Sequence, residues 1–230
     1  MRLGQDVKAR FVSIIDRASR ADDSLISKSI CGKLLGDGFK GLEAFVLGIK
    51  YRVTVADGDV EVVVEDPLNR DEDSSRLLIY MFNAVERAFG GRLSSYEGSL
   101  TSLTQLPGGQ TTRLYEKRIV NFLAAEMDGG KLEEVEVAVR KIGGSMVEHP
   151  NATWSFEVSP FNGVRIRAVY WQGEEQMPSG AALLVGEEIK EVNIPVEELL
   201  TIMEMAINRF VLFYRKETGK KPKLFHSLYF

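Results

Sequence analysis

The chain has almost no cysteine and histidine, with one cysteine, Cys31, and two histidines among 230 residues. One cysteine cannot close an internal disulfide, and one thiol with two imidazoles cannot build a Cys/His zinc or iron–sulfur site within one chain. The Gly-x-Ser-x-Gly pattern of many serine hydrolases is also absent. We therefore expect no metal and no cofactor, and we interpret Cys31, beside Ile30 in a weakly helical segment, as a buried structural thiol.

The chain also lacks an excess of positive charge and any long apolar run. Its 29 Lys and Arg residues face 33 Asp and Glu residues, for a formal net charge of -4, so no field attracts nucleic acid or anionic lipid. No uninterrupted apolar run approaches the roughly 18 residues of a membrane span, and charged residues interrupt any signal peptide near the start. We expect a soluble, cytoplasmic protein with no nucleic-acid or membrane partner, and the oligomeric state stays open.

What is present is an ordinary globular composition, 44% hydrophobic and 27% charged. A chain of this length fits one large domain or two small ones. No internal repeat and no Pro/Ser-rich linker separates two parts. We therefore predict a single domain over 1–230, with a helical N-terminal segment over 1–38 and a tail over 217–230.

Glycine doublets that follow apolar helical periodicity predict where helices end, because glycine adopts the left-handed conformation of a helix C-terminus. Gly90-Gly91, Gly129-Gly130 and Gly143-Gly144 are such doublets. The periodicity predicts helices over 73–89, 111–128, 132–142 and 195–216. Weaker signals lie over 7–17 and 25–35.

Strand-like patterns come in blocks between these helices. Ile49 to Val55 alternates with polar residues, Asp57-Gly58 supplies a turn, and Val60 to Val64 returns, which predicts a hairpin. Further strands are predicted over 92–96, 99–103, 154–158, 164–171 and 181–185. Blocks of strands favour an α+β fold, with a largely antiparallel sheet or sheets packed by about four to six helices, over a doubly wound parallel sheet.

A carboxylate pair is the first candidate site. Glu174 and Glu175 follow Gly173 at the end of a predicted strand. Two carboxylates on a tight turn can separate their pKa values for acid–base catalysis, or can hold a hard cation. The alternative interpretation is a solvated acidic turn that ends the strand.

Two further sets of residues are candidates for ligand binding. Exposed amides and hydroxyls ahead of a helix can hold an anion, and the loop that offers them contains Gly108, Gly109, Thr111, Thr112 and Arg113. It is not a P-loop, and a plain turn with a threonine N-cap explains the same residues. Tyr170 and Trp171, beside the Glu174 turn, are candidates to line a small-molecule pocket.

The order of several motifs resembles an uncharacterised bacterial and archaeal family catalogued as domain of unknown function 3786. The segments that support the resemblance are Leu77–Met81, Leu106–Gly109, Ile142–Gly144, Tyr170–Pro178, Leu183–Val185 and Ile194–Leu199. The family pattern has an aspartate at the positions of Glu174 and Gly186. The resemblance implies a domain shape and no activity.

Function stays unknown at the level of the sequence, because no complete catalytic motif is present. We expect an accessory or small-ligand/protein-binding domain without its own catalytic centre. The alternative is an enzyme that acts on a small polar or anionic substrate through the Glu174 and Glu175 turn, with or without a divalent cation. Whether the chain is an enzyme is left open.

Overall fold

The computed structural model describes residues 4–36, 40–174 and 177–224. The chain divides into two compact units: Met1–Ser95 with Pro160–Asn162, and Tyr96–Ser159 with Gly163–Phe230. Helices and antiparallel sheets occur in blocks, which confirms the α+β class. The expectation of one domain over 1–230 stays a prediction.

The first unit combines three helices with a four-stranded antiparallel sheet of order β1-β2-β3-β4. Its elements are α1 (Gln5–Ala18), α2 (Asp23–Ser29), β1 (Gly32–Leu34), β2 (Lys40–Val46), β3 (Ile49–Ala56), β4 (Asp59–Glu65) and α3 (Asp71–Phe89). The hairpin predicted from the Asp57-Gly58 turn is confirmed, since β3 and β4 pair from Lys50–Glu65 to Ala56–Asp59.

One face of this sheet is buried because its apolar residues alternate with polar ones. Ile49, Tyr51 and Val53 of β3 are buried, and the Tyr51 hydroxyl donates to the carbonyl of Ser74 in α3 (2.8 Å). Phe11 and Phe82 stack with ring centroids 3.8 Å apart, which joins α1 to α3. The period-two pattern of the strands and the 3.6-residue pattern of the helices therefore meet in one core.

The second unit builds a five-stranded antiparallel sheet of order β5-β9-β8-β7-β6 with four helices. Its elements are β5 (Leu100–Thr101), short 3-10 helices at Leu103–Gln105 and Gly109–Thr112, α4 (Arg113–Met127), α5 (Leu132–Lys141), β6 (Ser145–Met146), β7 (Trp154–Phe161), β8 (Val164–Trp171), β9 (Gly180–Gly186), α6 (Ile189–Val192) and α7 (Val196–Thr218). Phe210 of α7 packs on Phe156 of β7, with centroids 4.7 Å apart. None of the described helices has the length and apolarity to cross a membrane.

The four strongly predicted helices are present, and their ends at Gly90, Gly129 and Gly143 are confirmed to within one or two residues. The prediction over 25–35 is wrong in its second half. Ile30 is extended (φ −141°, ψ 164°), and the chain continues as β1, which pairs with β2. Cys31 precedes β1 and is exposed, so the expected buried thiol is also wrong.

The strand predicted over 92–96 is absent. The amide of Arg92 donates to the carbonyl of Arg87, and the amide of Ser94 donates to the side chain of Asn162 (2.6 Å). These partners replace a strand ladder, so a tertiary contact overrides the local pattern. The described residues contain seven α-helices, one more than the upper end of the expected four to six, because the short helix α6 adds to the predicted set.

Candidate functional site

A cavity of about 610 Å³ lies in the second unit, between the C-terminal half of α4 and the connection from β8 to β9. We call it the α4–loop cavity. Helix α4 contributes Ala124 and Ala125, and Asp128 follows its last residue. The connection contributes Glu174, Met177 and Ser179. The cavity therefore joins the end of one helix to the tip of one hairpin.

Local sequence explains this shape. The two alanines leave room beside α4, and Met177, with 66% of its surface exposed, stands on the other side. Asp128 follows the last helical residue with non-helical backbone angles (φ −54°, ψ 124°). Gly173 has no space for a side chain, since a Cβ there would lie 2.4 Å from the carbonyl oxygen of Met177. The tight β8–β9 connection thus requires glycine at this point.

A chain of hydrogen bonds ties the helix end to the hairpin. Asp128 Oδ1 accepts from the Ser179 hydroxyl (2.6 Å) and from the side-chain amide Nε2 of Gln172 (3.0 Å). The Tyr170 hydroxyl lies 2.9 Å from Gln172 Oε1 and 3.0 Å from Ser179 Oγ. The Gly173 amide donates to Ser179 Oγ (2.9 Å). Neutral donors therefore fix the position of the Asp128 carboxylate.

The described side chains give the cavity a negative charge. The hydrogen bond from Ser179 holds the pKa of Asp128 below its ordinary value, and Lys223 and Gln172 act in the same direction. Burial raises the pKa of Tyr170, so this group is a neutral phenol at pH 7. The Glu174 side chain makes no hydrogen bond or ion pair within the described ranges 4–36, 40–174 and 177–224. The described ionisable side chains that line the cavity are thus both carboxylic acids, Asp128 and Glu174.

The segment after α7, residues 219–224, lies beside this site. We call it the C-terminal segment. Buried Glu126 pairs with Arg215 (2.6 Å) and also accepts hydrogen bonds from the backbone amides of Lys223 (3.1 Å) and Leu224 (2.9 Å). The Lys223 ammonium donates to the carbonyl oxygen of Asp128 and lies 4.0 Å from its Oδ2. A cation from a distant part of the chain is therefore anchored next to the cavity carboxylate.

Tyr170 and Trp171 are both predicted to lie beside the Glu174 turn, but the structure gives them different surroundings. Tyr170 joins the Asp128 network, whereas Trp171 lies edge-to-face with His149, with centroids 6.3 Å apart. Adjacent strand residues point to opposite faces, which accounts for the difference. Glu174 lines the cavity, and Glu175 lies outside the described residues.

The glycine-rich loop ahead of α4 uses its hydroxyl groups internally. Thr111 donates to the carbonyl of Gly108 (2.8 Å) and Thr112 donates to the carbonyl of Gly109 (2.7 Å). A Cβ at Gly109 would lie 1.9 Å from the carbonyl oxygen of Leu103, so the backbone is closely packed there. These contacts are typical of a structural turn. Anion binding by the loop stays a prediction, and it has little support because both hydroxyls donate within the loop.

The two predicted sites are not brought together. Arg113 is the exposed first residue of α4, whereas Asp128 follows its last residue. A helix of 15 residues spans about 22 Å at the usual rise. Arg113 therefore stands a helix length from the carboxylate cavity.

Sequence reasoning missed Asp128, Gln172 and Ser179. Asp128 stands directly before a glycine doublet and is read as part of a helix-ending turn. Its partner Ser179 is 51 residues away. A usable signal was present in the hairpin: Tyr170, Gln172 and Ser179 flank one connection, where the facing strand ends bring polar side chains together.

The first unit has a cavity of about 570 Å³ on the exposed face of its sheet. Its charged side chains already pair with one another across strands. Glu43 Oε1 lies 2.5 Å from Arg52 Nη2, and Glu43 Oε2 lies 3.4 Å from Lys33 Nζ. Lys50 Nζ lies 3.8 Å from Glu65 Oε2. We call it the sheet-face cavity.

The family described as domain of unknown function (DUF3786) matches residues 26–209, and the chain belongs to this family. The matched range includes the residues that line the α4–loop cavity and ends before Lys220 and Lys223. Comparison with curated proteins and with solved structures gives no match.

Proposed function

We propose that this member of the DUF3786 family binds a small organic cation in the α4–loop cavity and has no catalytic centre of its own. The observation that supports this proposal is the pairing of two carboxylates, Asp128 and Glu174, with the apolar surface of Ala125 and Met177. Small-molecule sites commonly combine an apolar lining with a few placed polar groups. An alkylammonium ion has this same division between a charged head and an apolar body.

The Asp128 carboxylate is suited to recognition because it is oriented before a ligand arrives. Ser179 and Gln172 both donate to Oδ1, and among the described residues Oδ2 has only the ion-pair contact to Lys223. A hydrogen bond to a charged group contributes about 1.5–3 kcal/mol. In an open, hydrated cavity we expect a dissociation constant of about 1 mM, which corresponds to a binding free energy of about 4 kcal/mol.

Binding has more support than acid–base catalysis. A general acid or base works best when its pKa lies near the operating pH. The pKa of Asp128 is shifted away from neutrality, and burial moves the pKa of Tyr170 upward. The enzymatic alternative on an anionic substrate has less support, since Asp128 and Glu174 repel an anion.

A cytoplasmic location is part of the proposal. A single exposed cysteine, Cys31, fits a reducing compartment, where disulfides are rare. Desolvation by neighbouring atoms raises the pKa of this thiol, so it is mostly protonated at pH 7.

The test is a comparison of two ligands with the same chain length and opposite charge, 1-aminobutane and butanoate. We expect 1-aminobutane to shift the backbone amide resonances of Gly129 and Gly173 in a saturable way, and butanoate to leave them unchanged. Asp128→Asn removes the carboxylate, and Asp57→Asn makes the same change at an exposed hairpin turn. Equal responses to both ligands, or an unchanged response in Asp128→Asn, would contradict the proposal.

A further inference from the structure

We infer that Lys223 acts as a built-in counter-cation, which makes the α4–loop cavity bind a monocation in preference to a dication. This inference rests on the proposed function. The selection acts on a second ammonium group of the ligand, and the residue that causes it follows α7.

The position of Lys223 is fixed by its backbone. Its amide donates to Glu126, which is 3% exposed and is also held by Arg215. The next amide, of Leu224, donates to the same carboxylate oxygen. Two adjacent amides on one buried carboxylate anchor the backbone, so the side chain of Lys223 starts from a defined point beside Asp128.

The ammonium group of Lys223 then reaches the end of α4. It donates to the carbonyl oxygen of Asp128 and lies 4.0 Å from Oδ2. Carbonyl groups at a helix C-terminus carry partial negative charge, which favours a cation at this place. The side chains of Lys223 and Asp128 are 41% and 56% exposed, so the ammonium compensates the carboxylate without closing the cavity.

Three described side chains determine the charge that the described residues give the site. Among these residues, Asp128 and Glu174 contribute two negative charges and Lys223 contributes one positive charge, which leaves a net charge of minus one. One ligand ammonium balances this charge. A second ammonium would exceed this charge and would meet repulsion from Lys223.

The experiment compares the dissociation constants of 1-aminobutane and 1,4-diaminobutane in the full chain at low salt. In Lys223→Met we expect the ratio of the two constants to shift about threefold to tenfold in favour of the diamine, because like charges near an exposed site interact modestly. Lys223→Arg retains the charge and is expected to retain the wild-type ratio. High salt should shrink the difference between Lys223→Met and wild type.

Lys220→Met is the matched control. Lys220 belongs to the same C-terminal segment but contacts Glu134 (2.5 Å) and the Tyr214 hydroxyl (2.6 Å) instead of Asp128. Its removal tests whether loosening the segment alone changes the ratio, and we expect no change. Lys223→Gln provides a second neutral variant in case Lys223→Met unfolds.

The outcomes separate the two proposals. Amine binding with the same ratio in wild type, Lys223→Met and Lys223→Gln would overturn the role of Lys223 and leave the proposed function standing. Equal shifts in Lys220→Met and Lys223→Met would also overturn it. Failure of both amines to bind any variant would overturn the proposed function, and this inference with it.

Discussion

The sheet-face cavity and the α4–loop cavity have similar volumes but use charge differently. On the sheet face, Glu43 accepts from Arg52 (2.7 Å), and each carboxylate has a basic neighbour on an adjacent strand. In the α4–loop cavity, neutral donors orient Asp128, Lys223 lies 4.0 Å from its Oδ2, and the Glu174 side chain has no hydrogen-bond or ion-pair partner in the described part of the chain. Charges that satisfy one another stabilise a surface modestly, whereas an oriented carboxylate with spare capacity can bind a ligand.

The local geometry of strands and helices explains this contrast. Antiparallel pairing places Glu43 opposite Arg52 in register, so cross-strand pairs form without any long-range contact. Asp128 instead follows a helix and meets residues of a distant hairpin. The site that is open to ligand is therefore the one assembled from separate segments.

The largest expected effect is on stability, at the buried pair between Glu126, near the end of α4, and Arg215 of α7. Glu126→Gln would leave Arg215 without its counter-charge, and breaking a buried pair typically costs about 3–5 kcal/mol. Urea denaturation of the full chain measures this loss. Glu43→Gln removes the corresponding charge beside Arg52 on the exposed sheet face, and we expect a much smaller change there. Equal losses would contradict the distinction between the two regions.

The next effect is on ligand affinity. Asp128→Asn should weaken 1-aminobutane binding by about 10-fold or more, because it removes one charge-assisted hydrogen bond. Glu43→Gln should leave the affinity unchanged, since Glu43 belongs to the sheet-face cavity. Titration calorimetry on both variants measures the difference. A loss of affinity in Glu43→Gln would show that the amine binds in the sheet-face cavity and not in the α4–loop cavity.

A third effect concerns the space beside α4. Ala125→Leu should fill part of the α4–loop cavity and weaken amine binding about fivefold, with little change in stability because the residue is only half-buried. Val63→Leu enlarges a side chain at the sheet-face cavity and serves as the control. Undiminished binding in Ala125→Leu would show that the ligand does not lie against α4.

The smallest effect is a shift in pH dependence. Binding requires the Asp128 carboxylate, whose pKa lies below its ordinary value of about 3.9, so amine binding should persist to pH 4 and be lost only below it. Ser179→Ala removes the hydrogen bond that contributes most to the lowered pKa, and it should move the loss of binding to higher pH. Titrations of amine binding from pH 7 to pH 3 compare wild type with Ser179→Ala. Coincident profiles would contradict the role given to Ser179.

Much of the fold could be predicted from local sequence. The helix that ends at Gly90 and the hairpin at Asp57-Gly58 depend on periodicity and turn chemistry within short windows. The failure over 92–96 has a tertiary cause, because Asn162 supplies the partner of Ser94. Local pattern therefore predicts elements until a distant residue competes for their backbone bonds.

The candidate site was less accessible to prediction. Glu174 could be identified because two carboxylates after a glycine stand out in a window of a few residues. Asp128 and Ser179 could not be paired, since no local rule relates residues 51 positions apart. Lys223 required the structure of the segment after α7, which brings a basic side chain to the end of α4.

The most direct test is to locate bound 1-aminobutane by intermolecular nuclear Overhauser effects to assigned methyl groups. We predict contacts from the ligand methylenes to the Met177 and Ala125 methyl groups, with the ammonium at Asp128. Contacts to Val63 on the sheet face instead, or no contacts at a saturating amine concentration, would contradict the assignment of the α4–loop cavity as a cation site.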